Sequence, residues 1–240
     1  MTPTLRKHTA ACLTKVNPRE AGAGGRYNRR MPAPFSCDPA QLERWNKRFS
    51  VDDYIFGKGP NAFLASQRAL FRPGMRALSV ADGEGRNSVW LATLGLEVTA
   101  FDFSPVGVQK ARALAREAGV TVDHRLSDIF RWNWSEREYD AVVVIFAQFM
   151  GAEARKPLFE GMKRALAPGG VLVMQGYTPK QLEYATGGPK ESENFYTEKL
   201  LRESFGDLEI LHLREHEDLV SEGGAHQGMS ALVDLVARKR

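Results

Sequence analysis

Cysteine is nearly absent from this 240-residue chain: Cys12 and Cys37 both precede the first recognisable structural element. Neither a disulfide framework nor a Cys-based zinc site can therefore hold the core. Long apolar runs are missing too. The longest, Ala141 to Ala147, falls far short of the roughly 20 residues that a membrane-spanning helix needs. Metal-ligand spacing within one element occurs only at His212 and His216, whose neighbours Glu215 and Glu217 read as a solvated strand face, so no metal site is expected. A basic surface is lacking over most of the length. Residues 1–30 hold seven Lys or Arg against Glu20 alone, a charge of +6, while the chain as a whole carries +4, leaving the remainder at −2. Nothing after residue 30 clusters Lys and Arg with aromatics as a nucleic-acid surface would. What is present is an ordinary soluble composition, 43% apolar and 26% charged, expected of a cytoplasmic protein that acts as a monomer without nucleic acid or membrane.

Residues 1–38 read as a disordered basic extension. Ala21-Gly22-Ala23-Gly24-Gly25 and the prolines Pro32 and Pro34 offer too little apolar surface to offset ordering entropy. The segment lacks the apolar stretch of a secretory signal, and Met31 stands where the composition changes. Residues 39–240 read as one domain.

Beyond Pro39, short apolar strands alternate with amphipathic helices, the pattern of an α/β sandwich around a mostly parallel sheet. Asp38 caps a helix through Phe49, and a second helix runs from Asn61 to Phe71. Strands are expected at Met75–Val80, Leu96–Phe101, Val120–Arg125, Tyr139–Phe146 and Val171–Gly176, with helices at Arg86–Leu94, Ser104–Glu117, Glu153–Ala167 and Thr197–Phe205. Leu208–Leu213 and Ala231–Ala237 are two last strands joined by a loop rather than a helix, so they pair antiparallel. His124, His212 and His216 alternate with apolar residues and read as solvent-facing, and Trp132-Asn133-Trp134 as edge packing.

Between the first strand and its helix lies Ala81-Asp82-Gly83-Glu84-Gly85-Arg86-Asn87. Glycines here allow a sharp turn and bring backbone N–H groups close to a ligand at a helix N-terminus. Gly83 and Gly85 form Gly-x-Gly, but Ser88 stands where a dinucleotide fingerprint has its third glycine. Asp102 closes the next strand, at the distance from which an acid reaches both ribose hydroxyls of a nucleoside. Asp128 follows the third strand, where a carboxylate can accept the adenine amino proton while Ile129 and Phe103 flank the ring; the alternative is a plain turn residue.

The stretches LSVADGEGRNSVWLA (78–92), VTAFDFS (98–104) and LAPGG (166–170) resemble the S-adenosylmethionine-dependent class I methyltransferases. GEGRN with its apolar helix is similar, more narrowly, to the tellurite-resistance-type small-molecule methyltransferases, relatives of the thiopurine and thiol methyltransferases. The resemblance spans about Trp45 to Arg240. It implies a doubly wound, Rossmann-like, mixed seven-stranded sheet with a C-terminal antiparallel hairpin and helices on both faces. It further implies S-adenosyl-L-methionine as cofactor, held by Phe56 of a covering segment, by Ala81, Gly83, Gly85, Arg86 and Asn87, by Asp102, Phe103 and Ser104, by Asp128 and Ile129, and by Phe146 beside the transferred methyl. Two positions depart from the family: its first-strand acid falls at Ser79 and its first loop glycine at Ala81. Ser79 can still reach the cofactor's amino group through water. A fold kept without catalysis is the alternative these departures motivate.

Methyl transfer from a sulfonium is an in-line displacement in which positioning supplies much of the rate. A soft acceptor (a thiol, or a selenium or tellurium nucleophile) needs no strong base, whereas a small oxygen or nitrogen acceptor must first lose a proton. Phe146-Ala147-Gln148-Phe149 lacks the Asn/Asp-Pro-Pro-Tyr pattern of nucleic-acid amino-methyltransferases, which favours a small-molecule acceptor. Tyr177 is a candidate to orient it, or a packed rim residue. His226, in a Gly-flanked segment with Glu222 nearby, is the candidate proton acceptor or orienting group, or a surface histidine.

Overall fold

A computed structural model describes residues 38–184 and 186–240. The basic extension expected over residues 1–38, with Cys12 and Cys37, lies outside the described residues but for Asp38.

Seven strands form one sheet in the order β3-β2-β1-β4-β5-β7-β6. They are β1 (Arg76–Val80), β2 (Glu97–Asp102), β3 (Asp123–Leu126), β4 (Tyr139–Ile145), β5 (Leu166–Tyr177), β6 (Glu209–Glu222) and β7 (His226–Arg238). The first five are parallel, while β7 lies antiparallel between β5 and β6. Helices α1 (Pro39–Phe49), α2 (Ala62–Ser66), α3 (Arg86–Thr93), α4 (Pro105–Glu117), α5 (Ala152–Ala165) and α6 (Glu198–Phe205) supply the layers. The expected doubly wound mixed sheet with a terminal hairpin is thus the observed fold.

Strand β4 shows why both faces must be covered. Its Val142 and Val144 pack with Leu158 and Met162 of α5, and with Leu201 and Phe205 of α6. Its Ala141 and Val143 pack with Phe63 and Leu64 of α2 and Leu91 of α3 on the opposite face. From Ala141 to Val144 the strand is buried on both sides and carries no polar residue, and each buried valine contributes about 1.5–3 kcal/mol. The double tryptophan, expected as edge packing, belongs to the main core instead: Trp132 and Trp134 are both buried, and Trp132 stacks on Phe101 with centroids 4.1 Å apart.

Several boundaries move for physical reasons. The helix expected over 61–71 stops at Ser66 and tightens into a 3-10 turn at Arg68–Leu70, and Asn61 is its cap rather than its first residue. The third strand begins at Asp123, because Val120 and Val122 pack against Val89, Leu114 and Ala115 before pairing starts. Pro168-Gly169-Gly170 does not precede β5 but forms a bulge inside it: Tyr139 pairs with Leu166 and Ala141 with Val171. A Cβ at Gly170 would come within 2.9 Å of the Tyr139 carbonyl oxygen.

The largest correction concerns the loop expected between 213 and 231. It is strand: β6 and β7 pair continuously down to Glu222 opposite His226, with Gly223 at φ 65° in the turn. Charged residues such as Arg214, Glu215, Glu217 and Asp218 disguised this edge strand, whose exposure to water tolerates them.

Sheet order reverses between β1 and β4, and ligands of open α/β sheets bind at the carboxyl ends beside such a reversal. Ala81, after β1, and Phe146, after β4, are the non-glycine residues with positive φ among those described, at 51° and 56°. Backbone strain of this kind gathers at binding sites.

Candidate active site

The loop after β1 is held to the end of β2 by one carboxylate. Asp102 Oδ2 accepts from Gly83 N at 2.9 Å and Oδ1 from Ser104 N at 2.8 Å. Burial pushes this acid up to about 6 against the pull of the same N–H groups. Each carboxylate oxygen keeps acceptor capacity, and Asp102 lines an inner cavity of about 100 Å³. That donor-poor, acceptor-rich edge beside a glycine turn fits a ribose diol, so these residues fit S-adenosylmethionine.

The acid missing from β1 reappears three residues later. Ser79 Oγ donates to Asp82 Oδ1 at 2.7 Å, and Ser88 Oγ donates to Asp82 Oδ2 at 2.5 Å. His124 Nε2 lies 3.2 Å from Ser88 Oγ. The expectation that His124 faces solvent is overturned: it is buried, and burial lowers its pKa. Asp82 thus ties β1, α3 and β3 together behind the turn. His216 is half-buried and bonded to Asp234 at 2.8 Å, a second departure from the solvent-facing reading, while His212 is exposed.

A covering segment crosses the cavity. Ile55 N donates to Glu84 Oε2 at 2.9 Å, an Arg86 guanidinium N–H donates to the Phe56 carbonyl at 3.2 Å, and Ala225 N donates to Ile55 O at 3.0 Å. Arg86 also pairs with Glu222 at 2.6 Å, both nearly buried. Glu222 Oε1 accepts from Ala62 N at 2.8 Å and Asn61 Nδ2 at 3.0 Å. The tip of the β6–β7 hairpin is thereby locked over the site. Only glycine fits at 223, where φ is 65° and a Cβ would run into the Gly57 backbone N–H.

Aromatic rings make the wall. His226 lies 4.4 Å from the Phe56 ring and 4.6 Å from Phe146, and Phe146 stacks on Tyr177 at 4.6 Å. His226 is the first residue of β7 rather than part of a flexible loop, and is buried, not on the surface. Burial, then the charges of Arg86 and Arg48, push its pKa down to about 3, so the ring is neutral at physiological pH. Tyr177 ends β5 and is buried; burial and the Glu222 carboxylate raise its phenol well above the usual value. Both residues line an outer cavity of about 630 Å³ that shares its Phe56, Phe146 and His226 walls with the inner one.

The structure therefore brings together Phe56, Ala81, Gly83, Arg86, Asn87, Asp102, Phe103, Phe146 and His226 around the inner cavity. Ile129 lines a small neighbouring recess with Phe103. Gly85, Ser104 and Asp128 do not line it. A Cβ at Gly85 would lie 2.7 Å from Ala111 Cα, so this glycine lets α4 approach. Ser104 caps α4 by accepting from Gly107 N at 3.1 Å. Asp128 accepts from Phe130 N at 2.9 Å in its own turn. Phe149, in the stretch expected beside the methyl, does line both cavities, whereas Trp45 and Phe49 of α1 and the 187–191 segment were absent from the sequence expectation. The apolar face of α1, with Trp45 and Phe49 one turn apart beside a domain that needed no further core helix, was the available signal.

A family profile described as a methyltransferase domain matches residues 77–170, the stretch from β1 through the β5 bulge. A demethylmenaquinone methyltransferase from Renibacterium salmoninarum is 35% identical over 130 residues, 54% of this chain and 50% of that protein. The chain spans half the length, or less, of the curated relatives it matches. Among solved structures, one concerned with conversion of a disulfide bond into a thioacetal group during echinomycin biosynthesis matches with TM-score 0.66 at 19% identity, covering 83% of this chain and 92% of that one. TehB from Haemophilus influenzae matches with TM-score 0.61 at 18% identity, covering 83% and 67%. Residues 77–170 match the methyltransferase-domain profile, and the sheet order and glycine turn agree with the fold of the class I S-adenosylmethionine-dependent methyltransferases.

Proposed function

We propose that the protein transfers a methyl group from S-adenosylmethionine to a small, soft nucleophile, of the thiol, selenium or tellurium kind, that enters through the outer cavity. Asp102 carries the cofactor part of this reading, because it joins a glycine turn to a cavity edge that can accept two ribose hydroxyls. When bound, the cofactor supplies an electrophilic methyl on a sulfonium. Phe56, Phe146 and Tyr177 then exclude water and fix the line of approach.

The electrostatics favour an acceptor that needs little help losing a proton. His226, at about 3, is too weak a base to take a phenolic or ammonium proton near neutrality, and Tyr177 stays a neutral hydroxyl. Both can orient an acceptor already present as its anion. The likeness to a structure concerned with thioacetal formation is consistent with sulfur chemistry. A small oxygen or nitrogen acceptor is the second reading, favoured by a relative named ubiquinone biosynthesis O-methyltransferase, 40% identical over 67 residues. The reading includes no nucleic acid partner, supported by the −2 charge after residue 30, and a monomer, since no extended apolar stripe lies outside the sheet elements.

S-adenosylhomocysteine release by the full chain across thiols, selenite, tellurite, phenols and amines tests this. Turnover on the soft acceptors, following their anion fraction, is the expected result. Turnover only on phenols or amines, rising steeply through their pKa, would install the second reading. Failure to bind S-adenosylhomocysteine in calorimetry would leave a non-catalytic fold.

A further inference from the structure

Helix α1 turns two guanidinium groups, Arg44 and Arg48, toward the outer cavity from positions one turn apart on the same face. Adjacent like charges repel, and among the described residues neither has a carboxylate ion pair within contact distance. The Arg48 guanidinium lies over Trp45 at 4.6 Å and Phe56 at 5.6 Å, a stacking that fixes its plane while leaving its N–H edge unused. Burial, then the proximity of Arg44, lowers the pKa of Arg48 against the opposite pull of Glu84, which is itself paired with Lys110. Lys190 adds a third cation to the rim. Two acids share that rim, but Asp38 is engaged as the α1 cap, accepting from Ala40 N at 3.0 Å, and Glu191 accepts from Asn194. The sequence before Asp38 offers one acidic residue, Glu20, amid its basic excess.

We infer that Arg44 and Arg48 form an anion subsite, so that the methyl acceptor carries, besides its nucleophile, a fixed negative group such as a carboxylate or phosphate. This rests on the methyl-transfer reading of the same cavity and narrows its substrate class. The aromatic wall between the subsite and His226 suits a flat body linking the two ends. A planar guanidinium fork recognises a carboxylate or phosphate with two parallel hydrogen bonds, which an arginine pair with free N–H edges is built to give.

The test separates binding from turnover. Affinities of 4-(methylthio)benzoate and its neutral counterpart 4-(methylthio)toluene for the full chain loaded with S-adenosylhomocysteine are measured by calorimetry, for wild type, for Arg44→Gln/Arg48→Gln, and for Arg44→Lys/Arg48→Lys. Wild type is expected to prefer the carboxylate at least tenfold, the Gln pair to lose that preference, and the Lys pair to regain part of it. S-adenosylhomocysteine affinity and thermal midpoint should stay unchanged in both variants. Equal affinity of wild type for the charged and neutral compounds, or a preference that survives in the Gln pair, overturns the anion subsite. With 4-mercaptobenzoate and 4-methylthiophenol as acceptors, KM should rise for the charged thiol alone in the Gln pair. No turnover on either thiol with the binding preference intact would keep the subsite and remove the soft-nucleophile reading.

Discussion

The two walls of the cavity are made of different material. On the cofactor side, backbone N–H groups of Gly83 and Ser104 converge on Asp102 at the ends of the parallel strands β1 and β2. On the acceptor side the groups are side chains, Phe56, Phe146, Tyr177 and His226, delivered by four segments far apart in sequence. The cofactor side is specified by turn geometry, which Asp82 braces from behind by accepting from Ser79 Oγ and Ser88 Oγ. The acceptor side depends on the hairpin staying down. A backbone-built wall can be shared by many enzymes, whereas a wall of side chains can be changed one residue at a time to suit a different acceptor.

One buried ion pair spans the two walls, and breaking it should have the largest effect. Arg86→Met leaves Glu222 buried without its charge partner, and removing one member of such a pair costs about 3–5 kcal/mol. Thermal unfolding should show this loss, and Glu222→Gln should show a smaller one, since Asn61 and Ala62 still donate to the remaining oxygen. The double variant Arg86→Met/Glu222→Leu should recover part of it. Additive losses in the double variant would mean that the pair does not hold the hairpin.

Next comes the cofactor wall alone. Asp102→Ala should weaken S-adenosylhomocysteine binding by about 2 kcal/mol, roughly 30-fold, through loss of charge-assisted hydrogen bonds. Its pH dependence has two opposite signs. Because the folded pKa is about 6, above its ordinary 3.8, the contribution of Asp102 to stability without cofactor is fully present below about pH 4 and is lost as pH rises through 6. Ribose hydroxyls prefer the carboxylate, so affinity for S-adenosylhomocysteine should rise over the same interval. Thermal shift with and without the ligand, from pH 5 to 8, should show a widening gap in wild type and a flat one in Asp102→Ala. Equal affinity in the two proteins would show that the ribose contact is misassigned.

The same division explains what could be read from the sequence. Gly83, Asp102 and the positions of the first five strands along the chain were legible because local turn chemistry and strand periodicity encode them. Asp128 and Ser104 were placed in the right loops, but their side chains serve those loops rather than the cavity. The acceptor wall was only partly legible. Phe146 and Tyr177 were found at strand ends, while the true setting of His226 required knowing that the charged run from Arg214 to Glu222 is an edge strand. Long-range pairing, not local preference, decides that, and so does the burial that makes His124 and His226 core residues.

His226 offers a smaller test of the acceptor wall. His226→Ala should lower turnover by about tenfold or more through lost orientation while leaving cofactor affinity unchanged. With its pKa near 3, the wild-type rate should show no inflection from this residue between pH 5 and 9, and any rise should follow the acceptor's own ionisation. An inflection near 6.5 that disappears in His226→Ala would restore the histidine as a working base. Unchanged turnover would remove it from the mechanism.

The smallest effect is the sharpest comparison, because both walls carry one left-handed non-glycine residue. Ala81, at φ 51°, occupies a conformation that costs an alanine about 1–2 kcal/mol, and glycine adopts it without that cost. Glycine also gives the unfolded chain more freedom, which returns about 0.4–1 kcal/mol of the gain. Ala81→Gly should therefore stabilise the protein by up to about 1 kcal/mol, raising the thermal midpoint by about 2–4 °C. Its methyl packs only at the margin of the core, so little burial is lost. Phe146→Gly removes equal strain but opens the wall against Tyr177 and His226, and there turnover should fall whatever happens to stability. If Ala81→Gly instead lowers the midpoint, the Ala81 methyl is holding the turn, and the strain after β1 belongs to the cofactor wall as firmly as that of Phe146 belongs to the acceptor wall.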